Sequence, residues 1–122
     1  MKSRVFVVQR PAYYSREKKG WVNKYDLSPA EEFGQLVMLL RPGNIFRDRL
    51  DEAIASLEEG LFDFNPEEDS ILAVGDPVAI AATVMVASRN SGGSITLLKF
   101  DRQANAYLPY SIRIGGGEDT DS

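Results

Sequence analysis

The sequence predicts an α/β fold: one small domain with a mixed, mostly parallel sheet of about five strands, two main helices and a C-terminal β-hairpin. Three observations carry that prediction. Short β-branched or leucine-rich runs alternate with longer helical segments, the pattern of β–α–β units. Two such crossovers require at least three parallel strands joined with right-handed connections. Only the polar turn "DRQANA" separates the last two runs, so they return on each other as an antiparallel pair.

The elements follow in the order β-β-α-β-α-β-β. Arg4 to Gln9 is a β-branched, aromatic run and reads as the first strand. "RPAYYSREKKGWVNKYD" is polar and broken by Pro11 and Gly20, which suits a long loop or an irregular hairpin. In "DLSPAEEFG", Ser28 fits an N-cap, Pro29 the first helical position and Glu31 the closing residue of a capping box. Gly34 stops this short helix, and Gln35 to Leu40 is too short for anything but a buried strand. Asn44 then fits the cap of a helix running to about Gly60. Its apolar stripe is Phe46, Leu50, Ala53, Ile54, Leu57 and Leu61. Ile71 to Val74 reads as a strand, Pro77 to about Asn90 as the second helix, and Ile95 to Phe100 and Tyr107 to Ile114 as the closing pair. Residues 1–114 form the domain, and the acidic tail 115–122, "GGGEDTDS", has nothing to bury.

Composition narrows the chemistry. The chain of 122 residues has no cysteine, which removes disulfides and thiolates. It has no histidine either, which removes the commonest general base and metal ligand. Neither a metal nor a cofactor is implied. No apolar run approaches the ~20 residues of a membrane span, and the apolar run of the N-terminus is too short for a signal peptide. The net charge of −4 conceals a strong asymmetry: residues 1–24 carry seven Lys/Arg against Glu17, whereas residues 25–70 carry twelve Asp/Glu against Arg41, Arg47 and Arg49.

Three constellations could carry function. In "RPAYYSREKKGWVNKY", Arg10, Arg16, Lys18, Lys19 and Lys24 interleave with Tyr13, Tyr14, Trp21 and Tyr25. Bases stack on aromatics while cations hold phosphates, so this segment suits nucleic acid; the same residues also mark protein interfaces. The plain alternative is a solvated loop anchored by its rings. Gly75-Asp76-Pro77, between a strand and a helix, reads either as a ligand rim or as a turn, a helix cap and a first helical residue. The second reading is simpler. The phosphate fingerprints are missing, Pro77 lacks an N–H, and Asp76 puts a negative charge where a phosphate would sit. Asp101 and Arg102 would join Asp76 on that rim if the central strands are parallel. The acidic set Glu58, Glu59, Asp63, Glu67, Glu68 and Asp69 lacks EF-hand spacing and reads as a solvated face, or as a partner for the basic segment.

The second helix, "PVAIAATVMVAS", has almost no polar face. Such a helix is covered on several sides, by the domain itself or by a second copy in a homodimer.

Together, "FVVQ", "YDLSPAEEFGQLVMLL", "LAVGDPVAIAATVMVAS" and "ITLLKFDRQANAYLPYSI" resemble a group of small hypothetical proteins of bacteriophages and prophages. The likeness covers most of residues 5–112. Gly75, Asp76 and Pro77 before a long apolar helix, then Tyr107 and Pro109, are its most distinctive features. No activity comes with the resemblance. It implies a mobile-element protein in the bacterial cytoplasm. The resulting expectation is a non-enzymatic accessory protein binding nucleic acid or a host protein complex, with inhibition of host defence as one such role. The alternative is a small-ligand or nucleotide binder, or an enzyme, at the Asp76/Asp101 rim.

Overall fold

The computed structural model describes residues 3–24, 26–89 and 91–114. Tyr25, Asn90 and the predicted acidic tail 115–122 lie outside the described residues. Seven strands form two sheets: β1 (Arg4–Gln9), β2 (Ala12–Ser15), β3 (Gly20–Asn23), β4 (Gln35–Leu40), β5 (Ser70–Leu72), β6 (Ser94–Asp101) and β7 (Ala106–Arg113). The helices are α1 (Leu50–Gly60) and α2 (Pro77–Ser88), with 3₁₀ segments at Ser28–Phe33 and Arg47–Arg49.

The main sheet has the order β4-β1-β5-β6-β7. β4, β1, β5 and β6 are parallel and β7 is antiparallel to β6, as the sequence predicts. β1 is an interior strand, paired on both sides, and five of its six residues are buried, because a strand covered on both faces needs a continuous apolar run. The chain first steps from β1 to β4, then crosses back over β1 to β5 and on to β6. Right-handed connections in opposite directions put their helices on opposite faces. One face packs Phe6, Val8, Ile71 and Ile95 against Leu57 of α1, Leu61 just after it, and Ala79, Val86 and Ala87 of α2. The other packs Val5, Val7, Leu72, Leu98 and Tyr107 under Ala30 of the first 3₁₀ segment and Leu27 just before it.

The apolar α2 is covered on two sides. Ala79, Thr83, Val86 and Ala87 face the core, and the Thr83 hydroxyl donates to the Ala79 carbonyl at 2.8 Å, so no buried donor is orphaned. Arg89, just beyond the helix, pairs with Glu58 of α1 at 2.9 Å and marks the side on which α1 lies. The third side stays open, with Val78 and Met85 exposed.

Three local expectations are corrected. Gln35–Leu40 is a strand but not a buried one: β4 is an edge strand of the main sheet, none of its six residues is buried, and Met38 is 48% exposed. Ser28 is not a helix cap. It donates from its backbone N–H and its hydroxyl to Asp26, and the segment closes as a 3₁₀ helix with no side-chain cap. Asp26 lies nearer the turn and takes the donors that the capping box would use. Nor does Asn44 start α1. Residues 41–46 are pinned to other loops, the helix begins at Leu50, and Phe46 stands 63% exposed instead of joining the stripe.

Candidate functional site

The direction of strand addition reverses at β1, with β4 on one side and β5 and β6 on the other, so the crevice between the C-terminal ends of β1 and β5 is the switch point where open α/β sheets bind ligands. In this chain the crevice is closed from within. The Gln9 side chain, 3% exposed, donates to the Arg41 carbonyl at 2.8 Å and to the Gly43 carbonyl, and accepts from the Asp76 N–H at 2.8 Å. One amide thereby ties together the ends of three strands. Gly75 is required beside it. Its φ is +123°, and a Cβ there would meet the Gln9 side chain at 2.6 Å.

Asp76 caps α2. One carboxylate oxygen accepts from the Val78 N–H at 2.8 Å and the other from the Ile45 N–H at 3.3 Å. Asp101 closes the β6–β7 turn by accepting from the Ala104 N–H at 2.8 Å. Both carboxylates sit at the strand-end rim and both are engaged by backbone. Gly75 and Asp76 line a cavity of about 300 Å³ together with Arg10 and Lys24 at the base of the hairpin. Arg102 lines a different cavity, of about 610 Å³, with Asp26, Val74, Lys99, Phe100 and Tyr107. Asp101 borders neither of these two cavities, so the rim is divided into two sites.

The segment that leaves β1 is a hairpin. β2 and β3 pair Tyr14 with Trp21 and Tyr13 with Val22, in a two-stranded sheet of their own. Tyr14 and Trp21 meet edge to face at 5.8 Å, while Tyr13, Tyr14 and Trp21 are 50%, 56% and 46% exposed. Arg10 donates to the Asn23 side chain at 2.9 Å and braces the base. Arg16, Lys18, Lys19 and Lys24 are exposed, and no ion pair among the described residues holds them.

The segments at the C-terminal end of the sheet carry Arg10, Arg16, Lys18, Lys19 and Lys24 on the hairpin and its base, Arg41, Arg47 and Arg49 after β4, and Arg102 in the β6–β7 turn; Glu17, Asp48, Asp51, Glu52, Asp76 and Asp101 lie at the same end, and Arg49 pairs with Glu52. The opposite end gathers Glu58, Glu59, Asp63, Glu67, Glu68 and Asp69. There Asp69, with its side chain 2% exposed, accepts from the Arg4 guanidinium at 2.8 Å and from the Asn65 N–H at 2.9 Å. This hydrogen bond raises the Arg4 pKa further above its ordinary value. Among the described residues no cluster of acids is arranged to hold a metal ion. The Asp26 carboxyl is held below its ordinary value, first by the Ser28 N–H and then by its hydroxyl. That support is present above the normal carboxylate range and is lost as the pH falls through the lowered value.

Sequence reasoning missed Gln9, Lys99, Phe100 and Asp26. The one available signal was Gln9 itself, a polar residue ending the apolar run "RVFVVQ".

The fold and this rim define a class: a small single-domain α/β protein with a self-plugged switch point and a cationic, aromatic hairpin beside it. Residues 3–114 match the family described as Phage Pam3 gp32-like protein, and the chain belongs to that phage family. The resemblance to phage and prophage proteins is thereby borne out. No curated protein and no solved structure matches the chain. No helix among the described residues is long and apolar enough to cross a membrane.

Proposed function

We propose that this chain is a phage accessory protein that acts in the bacterial cytoplasm by binding a nucleic acid or a host protein complex through the β2–β3 hairpin. The observation that carries the reading is the exposure of Tyr13, Tyr14 and Trp21 beside Arg16, Lys18, Lys19 and Lys24, which no ion pair among the described residues engages. Half-exposed rings and unpaired cations are what a partner desolvates on docking. The engagement of Asp76 and Asp101 by backbone N–H groups supports binding over catalysis at the rim. The test is affinity capture from host lysate, with and without nuclease. Reversing Arg16, Lys18 and Lys19 to Glu is expected to abolish capture, while Asp76→Asn retains it. Capture that survives the triple reversal sinks the proposal.

We also propose a second copy of the chain as the cover for the open side of α2. Pro77–Ser88 contains no charged residue, so two copies meet there without desolvating a charge. Light scattering is expected to give a dimer for the native chain and a monomer for Met85→Glu. A native monomer at the highest attainable concentration rules this out.

A further inference from the structure

We propose that the cavity beside the β6–β7 turn is a base pocket for single-stranded nucleic acid, entered by a strand that also lies on the hairpin. The inference rests on the hairpin reading and adds to it a second site and a ligand class. The cavity, about 610 Å³, falls in the size range of small-molecule sites. Phe100 walls it and is 44% exposed; the Tyr107 ring meets it at 5.3 Å and 72°, edge-on, which leaves ring surface for a base to stack on. Arg102 supplies a cation to the cavity, as a phosphate next to a stacked base requires, while the Lys99 amine lies over the Tyr110 ring at 5.8 Å on the other face of the sheet. Asp26, kept ionised by Ser28, supplies an acceptor suited to the exocyclic amine of cytosine.

The two sites adjoin. Lys24 lines the cavity at the hairpin base, and Asp26, two residues on, lines the base pocket. β1, which carries the hairpin, and β6 are separated only by β5, so their ends lie about 10 Å apart. That is a short step for an extended nucleic-acid strand. An acidic protein would satisfy the cations, but only a polynucleotide sets a π-face beside a phosphate at every unit of its length, so the repeated pairing of ring and cation favours it.

The experiment titrates DNA and RNA oligocytidylates of about twelve nucleotides with the full chain, read by anisotropy of a label on the oligonucleotide. Emission from Trp21, the single tryptophan, is followed in parallel and reports the hairpin by itself. Both oligonucleotides are expected to bind and to quench Trp21. Phe100→Ala is expected to weaken binding about tenfold with the salt slope unchanged. Arg102→Glu is expected to weaken it and to flatten the salt dependence. Both side chains are exposed, and far-UV circular dichroism verifies the fold of each variant. Native affinity in both variants, with Trp21 still quenched, overturns the pocket and leaves the hairpin reading standing. Absence of quenching and of any anisotropy change at low salt overturns the pocket and the nucleic-acid partner together. Capture of a host protein by the same hairpin in nuclease-treated lysate would then preserve the hairpin reading alone.

Discussion

At the scale of single residues, Gln9 decides what the switch point can do. Its amide occupies the crevice and satisfies two carbonyls and one N–H from loops 32 to 67 positions away in the chain. Gln9→Leu keeps the bulk and removes those bonds, leaving three part-buried backbone groups without their partner. A loss of roughly 2–4 kcal/mol in urea unfolding is expected; a loss within error would mean water replaces the amide and the crevice is open. Glycine gives a second, finer test. Gly43 and Gly75 both hold positive φ, +113° and +123°, but a Cβ at Gly43 meets nothing within 4 Å, whereas one at Gly75 runs into Gln9. Alanine is therefore strained at both and clashes only at Gly75, which should cost roughly 1–3 kcal/mol more there. Equal losses would show that the plug yields. The Asp76 cap was legible in the sequence because its partner Val78 is two residues on. The Gln9 plug was not, because no local pattern encodes a contact between strand ends far apart in the chain.

At the scale of elements, legibility follows the same line between local and distant causes. Alternating runs announced the parallel sheet, and Gly75-Asp76-Pro77 announced the start of α2. The segment after β1 admitted both a loop and a hairpin, since two strands of four residues each leave little periodicity to read. A nearly uniform apolar helix such as α2 cannot show which side is covered until the sheet and α1 are in place. The last strand offers an element-scale prediction. The Ile114 N–H donates to the Gly93 carbonyl at 2.9 Å, which sets the ladder phase: Ile112, Tyr110 and Leu108 aim their N–H groups at β6, and the alternate residues face the open edge. Pro109 is one of the latter, so it costs the ladder no bond and removes a donor from the exposed edge. Around it Leu108, Tyr110 and Ile112 are exposed, the apolar edge pattern that recruits other chains. Pro109→Val restores the missing donor, and turbidity or light scattering on warming should show faster aggregation than the native chain. Unchanged aggregation would mean that the edge is guarded by something else.

At the scale of the whole molecule, the fold re-sorts charge that the linear sequence had grouped differently. Reading by segment placed Arg41, Arg47 and Arg49 inside an acidic block; the fold carries them to the C-terminal end of the sheet, beside the hairpin and the β6–β7 turn. Arg4 and Arg89 stay at the other end, each paired with acids, and Arg113 at the end of β7 lies there too. A chain of pI about 4.8 therefore presents a local cationic surface on the hairpin, with Glu17, Asp48, Asp51 and Glu52 at the same end. A polyanion responds to that local field and not to net charge, because a Debye length of about 10 Å at 0.1 M salt screens acids on the far side. The protein should thus be retained on heparin at neutral pH and low ionic strength, where its net charge alone predicts repulsion. Elution should move to lower salt on reversing Arg16, Lys18 and Lys19, whereas reversing Glu67 and Glu68 at the far end should scarcely shift it. The far-end pair controls for a change of net charge remote from the hairpin, since it alters the total in the opposite direction. If the chain passes straight through at about 50 mM salt, the cationic surface does not act as a unit, and neither hairpin nor pocket can draw on it for a polyanion.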